Sequence, residues 1–213
     1  MSRALPNAVV GRAFNQLGVG NPTLQADLPA KIDAGVQKLY GYQHSDGGWG
    51  WWYDDASDHY QTAWVIFGLI NTAEAGYEID PAVIERGAEY LRQELPQMDV
   101  KTRAYALYSM ALAVEFVGDE AGGDEELLTA DFVLSRLNGL AENRIDMLDP
   151  FSQASLALAF WELGAAAEAN EVLDLLEPLA EVNESTGRVS FGMGTDDGYY
   201  MRKTMASDLR TTA

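Results

Sequence analysis

The densest chemistry in the sequence lies between Gln43 and His59. Gln43-His44-Ser45-Asp46-Gly47-Gly48-Trp49-Gly50-Trp51-Trp52 sets three glycines among three tryptophans, and Asp54, Asp55, Asp58 and His59 follow closely. Glycines permit backbone geometries that a side chain forbids, and they let an indole pack against a bare peptide plane. Two readings follow. Exposed tryptophans would hold a sugar by stacking, making the segment a carbohydrate site. Packed tryptophans would instead, with Gln43, staple one helical hairpin to the next, as aromatic clusters in repeat proteins do. The acidic residues divide in the same way. A glycan-processing protein needs a carboxylate pair or a Tyr or His base in its cavity, and Asp54, Asp55, Asp58 and His59 form the alternative site on that reading. Their local reading is structural: Asp58 or Ser57 suits a helix N-cap, and acidic side chains favour a helix N-terminus.

Other chemistries find little support. His44 and His59 are the only histidines, and there is no cysteine, so thiolate zinc sites and cysteine nucleophiles are excluded. The spacing of Asp46, Asp54, Asp55 and Asp58 does not match a calcium-binding EF-hand loop. No phosphate loop, nucleophile elbow or Ser/His/Asp arrangement is visible. The expectation is a chain with no catalytic residues, no cofactor and no metal.

The elements that must position this loop read as helices. Apolar residues recur at helical spacing almost throughout, and the breaks carry Gly, Pro, Asn or Asp. The pattern predicts helices from about Ser2 to Leu17, Leu24 to Tyr42, His59 to Ala75, Asp80-Pro81 to Leu95, and Asp99 to Val117. Further helices are predicted from Asp124 to Asn138, Asp149-Pro150 to Leu163, and Ala165 to Ala180, with a last one beginning near Ser207. Gly187 to Tyr200 alternates apolar and polar residues with several glycines, which predicts a short hairpin or irregular excursion, either a partner contact or a surface loop.

Two kinds of helix alternate. One kind is apolar on several faces and opens with a polar or small residue followed by Ala, as in Gln61-Thr62-Ala63, Thr102-Arg103-Ala104, Ser152-Gln153-Ala154 and Arg210-Thr211-Thr212-Ala213. A helix that is apolar nearly all round is buried. The kind between them is amphipathic. Alternation at a period of roughly 40 to 60 residues marks a helical-hairpin repeat, an inner set wrapped by an outer set.

The chain of 213 residues carries 14 Lys plus Arg against 33 Asp plus Glu, a formal net charge of −19 at pH 7. A surface this acidic repels nucleic acid and anionic membranes. At 47% hydrophobic residues the chain can bury a core and is not disordered. Met1 to Val10 lacks the basic start and apolar core of a signal peptide, and no apolar run reaches the roughly 18 residues that span a bilayer. The expectation is a soluble chain.

Gln43-x-x-Asp46-Gly47-Gly48-Trp49-Gly50 resembles the motif of alpha-alpha toroids, shared by terpenoid cyclases, protein prenyltransferases and the thioester domains of complement and alpha-macroglobulin proteins. The longer run from Leu39 to Trp52, with Thr62-Ala63 and Glu74-Ala75-Gly76-Tyr77, is similar to the bacterial alpha-macroglobulin branch. Met1-Ser2-Arg3-Ala4-Leu5-Pro6-Asn7 resembles the stretch directly after that family's Cys-x-Glu-Gln thioester motif. The resemblance implies an all-α fold, a single partial thioester-domain-like alpha-alpha toroid over residues 1–213; six hairpins close such a toroid, and the helices predicted above make about four and the start of a fifth. It implies a scaffold in a bacterial endopeptidase trap that acts in the periplasm or at the cell surface. The partners would be target proteases, met through the intact parent, and the parent's other domains. Open toroid edges would allow self-association.

The enzymes of the toroid class fit poorly. A class II terpenoid cyclase uses Asp-x-Asp-Asp-Thr-Ala, and the matching window is Asp208-Leu209-Arg210-Thr211-Thr212-Ala213. Arg210 stands where the acid would be, and a guanidinium stays protonated. A prenyltransferase holds zinc through Asp, Cys and His, and Cys is missing. The runner-up is a glycan-processing or glycan-binding toroid that uses the Trp/Asp-rich loop.

Overall fold

The computed structural model describes residues 22–118 and 128–191. Within them the chain is all-α apart from one short hairpin. The helices are α1 (Pro22–Gly41), α2 (His59–Glu74), α3 (Pro81–Glu94), α4 (Val100–Val117), α5 (Ala130–Arg144), α6 (Pro150–Glu162) and α7 (Ala166–Leu176). Strands β1 (Ala180–Asn183) and β2 (Arg188–Phe191) pair antiparallel, with Ala180 opposite Phe191 and Asn183 opposite Arg188. Short 3-10 turns, Leu95–Gln97, Ile145–Met147 and Glu177–Leu179, follow α3, α5 and α7. The chain divides into two compact units, Met1–Glu94 with Leu112–Leu127, and Leu95–Ala111 with Leu128–Ala213.

The two kinds of helix alternate as the sequence predicts. In α1, Leu28, Ile32, Val36 and Leu39 are buried; in α5, Val133, Leu137 and Leu140; in α7, Ala169, Val172 and Leu176. Spacings of three and four residues put each set on one face. Helices α2, α4 and α6 bury side chains nearly all round. Thr62, Ala63, Thr102, Ala104 and Ser152, at their polar-then-Ala starts, are all but fully buried. Each of these three helices is followed by a glycine in the left-handed region, Gly76 (φ +94°), Gly118 (φ +69°) or Gly164 (φ +74°), which stops the helix where other residues would be strained.

Three boundaries differ from expectation. Helix α5 was expected from Asp124 to Asn138. It starts at Ala130, where the Thr129 side chain accepts from Phe132 N at 2.9 Å, and it runs through Gly139 to Arg144. Burial of Leu137 and Leu140 on either side of Gly139 outweighs that glycine's helix penalty. Helix α7 stops at Leu176 instead of Ala180, because Pro178 sits in the following 3-10 turn and Ala180 opens β1. The hairpin therefore begins earlier than Gly187, and its second strand, Arg188–Phe191, falls within the predicted Gly187 to Tyr200. Its turn is held by Asn183, whose Oδ1 accepts from Ser185 N and Thr186 N, both at 3.1 Å, and from Ser185 Oγ at 2.7 Å. The predicted helices from Ser2 to Leu17 and from Ser207, the segment 192–200 and residues 124–127 lie outside the described residues.

Candidate functional site

The loop between α1 and α2 has a buried half and an exposed half. Trp49 is 2% exposed. Its indole Nε1 donates to Leu39 O at 2.8 Å, its backbone N donates to Thr62 Oγ1 at 2.9 Å, and its carbonyl accepts from Asp58 N at 2.9 Å. A Cβ on Gly87 of α3 would lie 2.8 Å from Trp49 Cζ3 and 3.1 Å from Ile66 Cδ1, so the glycine is what lets α3 close on the indole. Gln43 is saturated. Its Nε2 donates to Gly47 O and Val83 O, both at 2.9 Å, and its Oε1 accepts from Arg86 at 2.8 and 3.2 Å. Gly47 has φ +89°, and a Cβ there would collide with the Arg86 carbonyl.

Asp46 Oδ1 accepts from Gly48 N at 3.0 Å and from Ser57 Oγ at 2.8 Å, and His44 Nδ1 lies 2.9 Å from Ser57 Oγ. The serine is the middle member of this chain. Its proton is committed to Asp46, so toward His44 Nδ1 the Oγ can only accept. That order is the reverse of an activated nucleophile, in which a base takes the serine proton. The chain of bonds clasps the loop.

The exposed half follows at once. Trp51 is 40%, Trp52 76% and Tyr53 62% exposed, and Tyr42 lies with its ring centroid 5.7 Å from that of Tyr53. Asp54 and Asp55 are exposed beside them. Asp58 caps α2, its Oδ1 accepting from Gln61 N at 3.0 Å. His59 Nε2 lies 3.3 Å from Glu94 Oε2, and its ring packs near Tyr90. Burial, and then the charges of Glu94, Asp46 and Asp58, push the Tyr90 hydroxyl well above the ordinary tyrosine range. The alternative-site residues Asp54, Asp55, Asp58 and His59 are thus dispersed over the surface, a helix cap and a contact with Glu94. Among the described residues no group of three His, Cys, Asp or Glu side chains could hold a metal. An open cavity of about 460 Å³ lies elsewhere, lined by residues of α5 and α7 with Ile145 of the following 3-10 turn and Phe160 of α6. Its carboxylates are Glu142, Glu168 and Glu171, none singled out in the sequence.

Sequence reasoning treated Asp58, Asp99 and Asp149 one at a time, yet they form a repeat. Thr102 N donates to Asp99 Oδ1 at 3.0 Å and Ser152 N to Asp149 Oδ1 at 2.9 Å. Met98 and Leu148, immediately before those caps, are buried, and their carbonyls accept from Arg103 at 2.9 Å and Gln153 at 3.1 Å. The signal was available as Asp three residues before a polar residue and five before Ala, at Asp58, Asp99 and Asp149. One difference is local. Lys101 Nζ lies 3.6 Å from Asp149 Oδ2, and among the described residues the buried Ser152 Oγ has no hydrogen-bond partner, whereas its counterpart Thr102 Oγ1 donates to Asp99 Oδ2 at 2.6 Å.

No protein-family model matches the chain. An alpha-2-macroglobulin of Thermotoga maritima is 41% identical over 93 residues, which is 44% of this chain and 6% of that protein. An alpha-2-macroglobulin of Escherichia coli is 26% identical over 149 residues, covering 68% of this chain and 9% of that protein. The chain spans less than a tenth of the curated relatives it matches. The solved structure of Salmonella alpha-2-macroglobulin reacted with methylamine superposes with a TM-score of 0.69 at 20% identity, over 98% of this chain and 12% of that one. The chain resembles a helical segment of bacterial alpha-2-macroglobulins in sequence and in fold.

Proposed function

We propose that the chain is a scaffold segment of a bacterial alpha-macroglobulin-like endopeptidase inhibitor, a partial thioester-domain-like alpha-alpha toroid with no catalysis of its own. The reading is carried by the 41% identity to the Thermotoga protein and supported by the fold match to the Salmonella one. The Salmonella protein reacted with methylamine, and amines are nucleophiles that thioesters acylate. This chain has no cysteine, so any Cys–Gln thioester would be supplied from outside it.

On this reading the partners are the parent's other domains and, through the parent, target proteases, in the periplasm or at the cell surface. Among the described residues no helix is long and apolar enough to cross a membrane. Leu158 and Trp161 are exposed on α6, a helix otherwise buried nearly all round. Their exposure supports self-association of isolated chains through an apolar edge.

The test is to incubate the protein encoded by the full reading frame with trypsin. Cleavage of casein should fall while cleavage of a small chromogenic amide persists, as expected of a caged protease. Undiminished casein cleavage would overturn the trap reading. Turnover of an oligosaccharide by the chain, abolished by Asp54→Asn, Asp55→Asn or His59→Ala, would overturn the absence of catalysis.

A further inference from the structure

The cavity of about 460 Å³ beside α5 and α7 combines two chemistries. Phe160 and Val172, both buried, form its floor, and Ile145 and Leu175 continue the apolar surface toward solvent. Ala141 of α5 and Ala167 of α7 present only methyl groups, which leaves the space between the two helices open. The polar wall is acidic. It consists of Glu142 from α5 with Glu168 and Glu171 from α7, all exposed. Glu168 and Glu171, three residues apart, are neighbours on one helix face.

A row of glutamates alone would be a solvated face. These stand around a cavity, and among the described residues none of them makes an ion pair. From Ile145 to Gly187 the sequence has no Lys, Arg or His. The arginines of α5 are engaged elsewhere, Arg136 at 5.1 Å from the centroid of the Phe132 ring and Arg144 donating to Met147 Sδ at 3.8 Å. Nor do the three carboxylates converge on a point, since among the described residues no group of three His, Cys, Asp or Glu could hold a metal ion. The complement of such a lining is a ligand with several positive charges spaced along an apolar chain.

We propose that this groove binds a linear aliphatic polyamine, with its methylene segments along Phe160, Val172 and Leu175 and its ammonium groups among Glu142, Glu168 and Glu171. Alkylammonium groups stay protonated at neutral pH. A methylene stem covers apolar surface while its charged end remains wet, so the two chemistries of the groove are met by one molecule. An anion would be repelled by the three carboxylates, and an uncharged apolar ligand would strip them of water without offering a donor. The volume lies in the range of small-molecule sites. The inference is independent of the protease-trap reading.

The 213-residue chain is titrated with spermidine by calorimetry at neutral pH and physiological salt, where screening suppresses loose attraction to the net charge of −19. Saturable binding at a single site is expected. Glu142→Gln with Glu168→Gln and Glu171→Gln should weaken it at least about tenfold. The charge-matched control, Glu78→Gln with Glu85→Gln and Glu115→Gln, alters exposed carboxylates of the other compact unit and should change it less than about twofold. Ala167→Leu, exposed on α7, narrows the groove without altering a charge and should also weaken binding about tenfold. All these side chains are exposed, so the thermal midpoints should stay near that of the parent chain. No saturation up to about 10 mM spermidine would overturn the proposal. So would equal weakening by the two triple variants, or displacement by equimolar magnesium chloride, either of which would reduce the binding to the ion atmosphere of an acidic protein. Affinity untouched by Ala167→Leu would overturn it too, by placing the amine on surface glutamates and outside the groove.

Discussion

The connection from α1 to α2 takes seventeen residues, whereas those from α3 to α4 and from α5 to α6 take five each. All three end on an aspartate that caps the next helix, Asp58, Asp99 or Asp149. All three also bury an apolar side chain close by, Trp49 in the long connection and Met98 or Leu148 in the short ones. Five residues with a cap and one plug are therefore enough to turn the chain from a half-exposed helix into a buried one. The additional residues of the first connection are not needed for that turn. They provide the clasp of His44, Ser57 and Asp46 and the exposed segment from Trp51 to Asp55.

The sharpest way to break this comparison is to remove the plugs. Trp49→Ala should cost about 3 to 5 kcal/mol, and Met98→Ala and Leu148→Ala about 2 to 5 kcal/mol, in denaturant unfolding. Trp52→Ala should stay within about 0.5 kcal/mol of the parent chain. A Trp52→Ala protein as damaged as Trp49→Ala would mean that the loop is one packed unit. Next in size is Gly47→Ala, which the positive φ and the Arg86 carbonyl should make destabilising by about 1 to 3 kcal/mol. A neutral Gly47→Ala would show that the clasp can relax, and thermal melts suffice to tell.

Smaller effects come from the caps. Asp58→Ala and Asp99→Ala should each cost about 1 kcal/mol. Asp149→Ala should cost more, because it also removes a carboxylate that the poorly exposed Lys101 faces at 3.6 Å. Equal losses at all three would show that the Lys101 contact adds nothing. The smallest effect serves as a control outside the connections. The Arg92 guanidinium, assisted by Gln93 and opposed by desolvation, holds the Glu89 carboxyl below its ordinary value of 4.5. A lowered folded-state value stabilises fully above about pH 4.5 and is lost as pH falls through it. The stability difference between the parent chain and Glu89→Gln should be constant near neutrality and vanish in stronger acid. A difference that instead grew on acidification would have the wrong sign.

Much of the helical frame could be read from local chemistry. Asp-Pro at Asp80-Pro81 and Asp149-Pro150, and the glycines at Gly76, Gly118 and Gly164, marked ends that act within one turn of the chain. The failures had tertiary causes. Gly139 reads as a stop in isolation, and only the burial of Leu137 and Leu140 carries α5 across it. The loop was less legible still. Its glycines and tryptophans announced close packing, but nothing in Trp49-Gly50-Trp51-Trp52 says which indole goes inside. That choice is made by Leu39, Thr62 and Gly87, which surround Trp49 from three helices. Gln43 was singled out for its position in a motif, whereas its bond to Val83, forty residues away, could not be seen.

The three-sided seat of Trp49 also bears on how fast the chain folds. Isolated turns of helix form within about a microsecond, but the indole has no complete site until α1, α2 and α3 have met. Burial that waits on three elements is expected on the late, downhill side of the barrier. Conservative changes at Trp49, such as Trp49→Phe, should accelerate unfolding and leave the refolding rate nearly unchanged. Stopped-flow fluorescence of that variant, read through the remaining tryptophans, would time the moment at which the first three helices become one body.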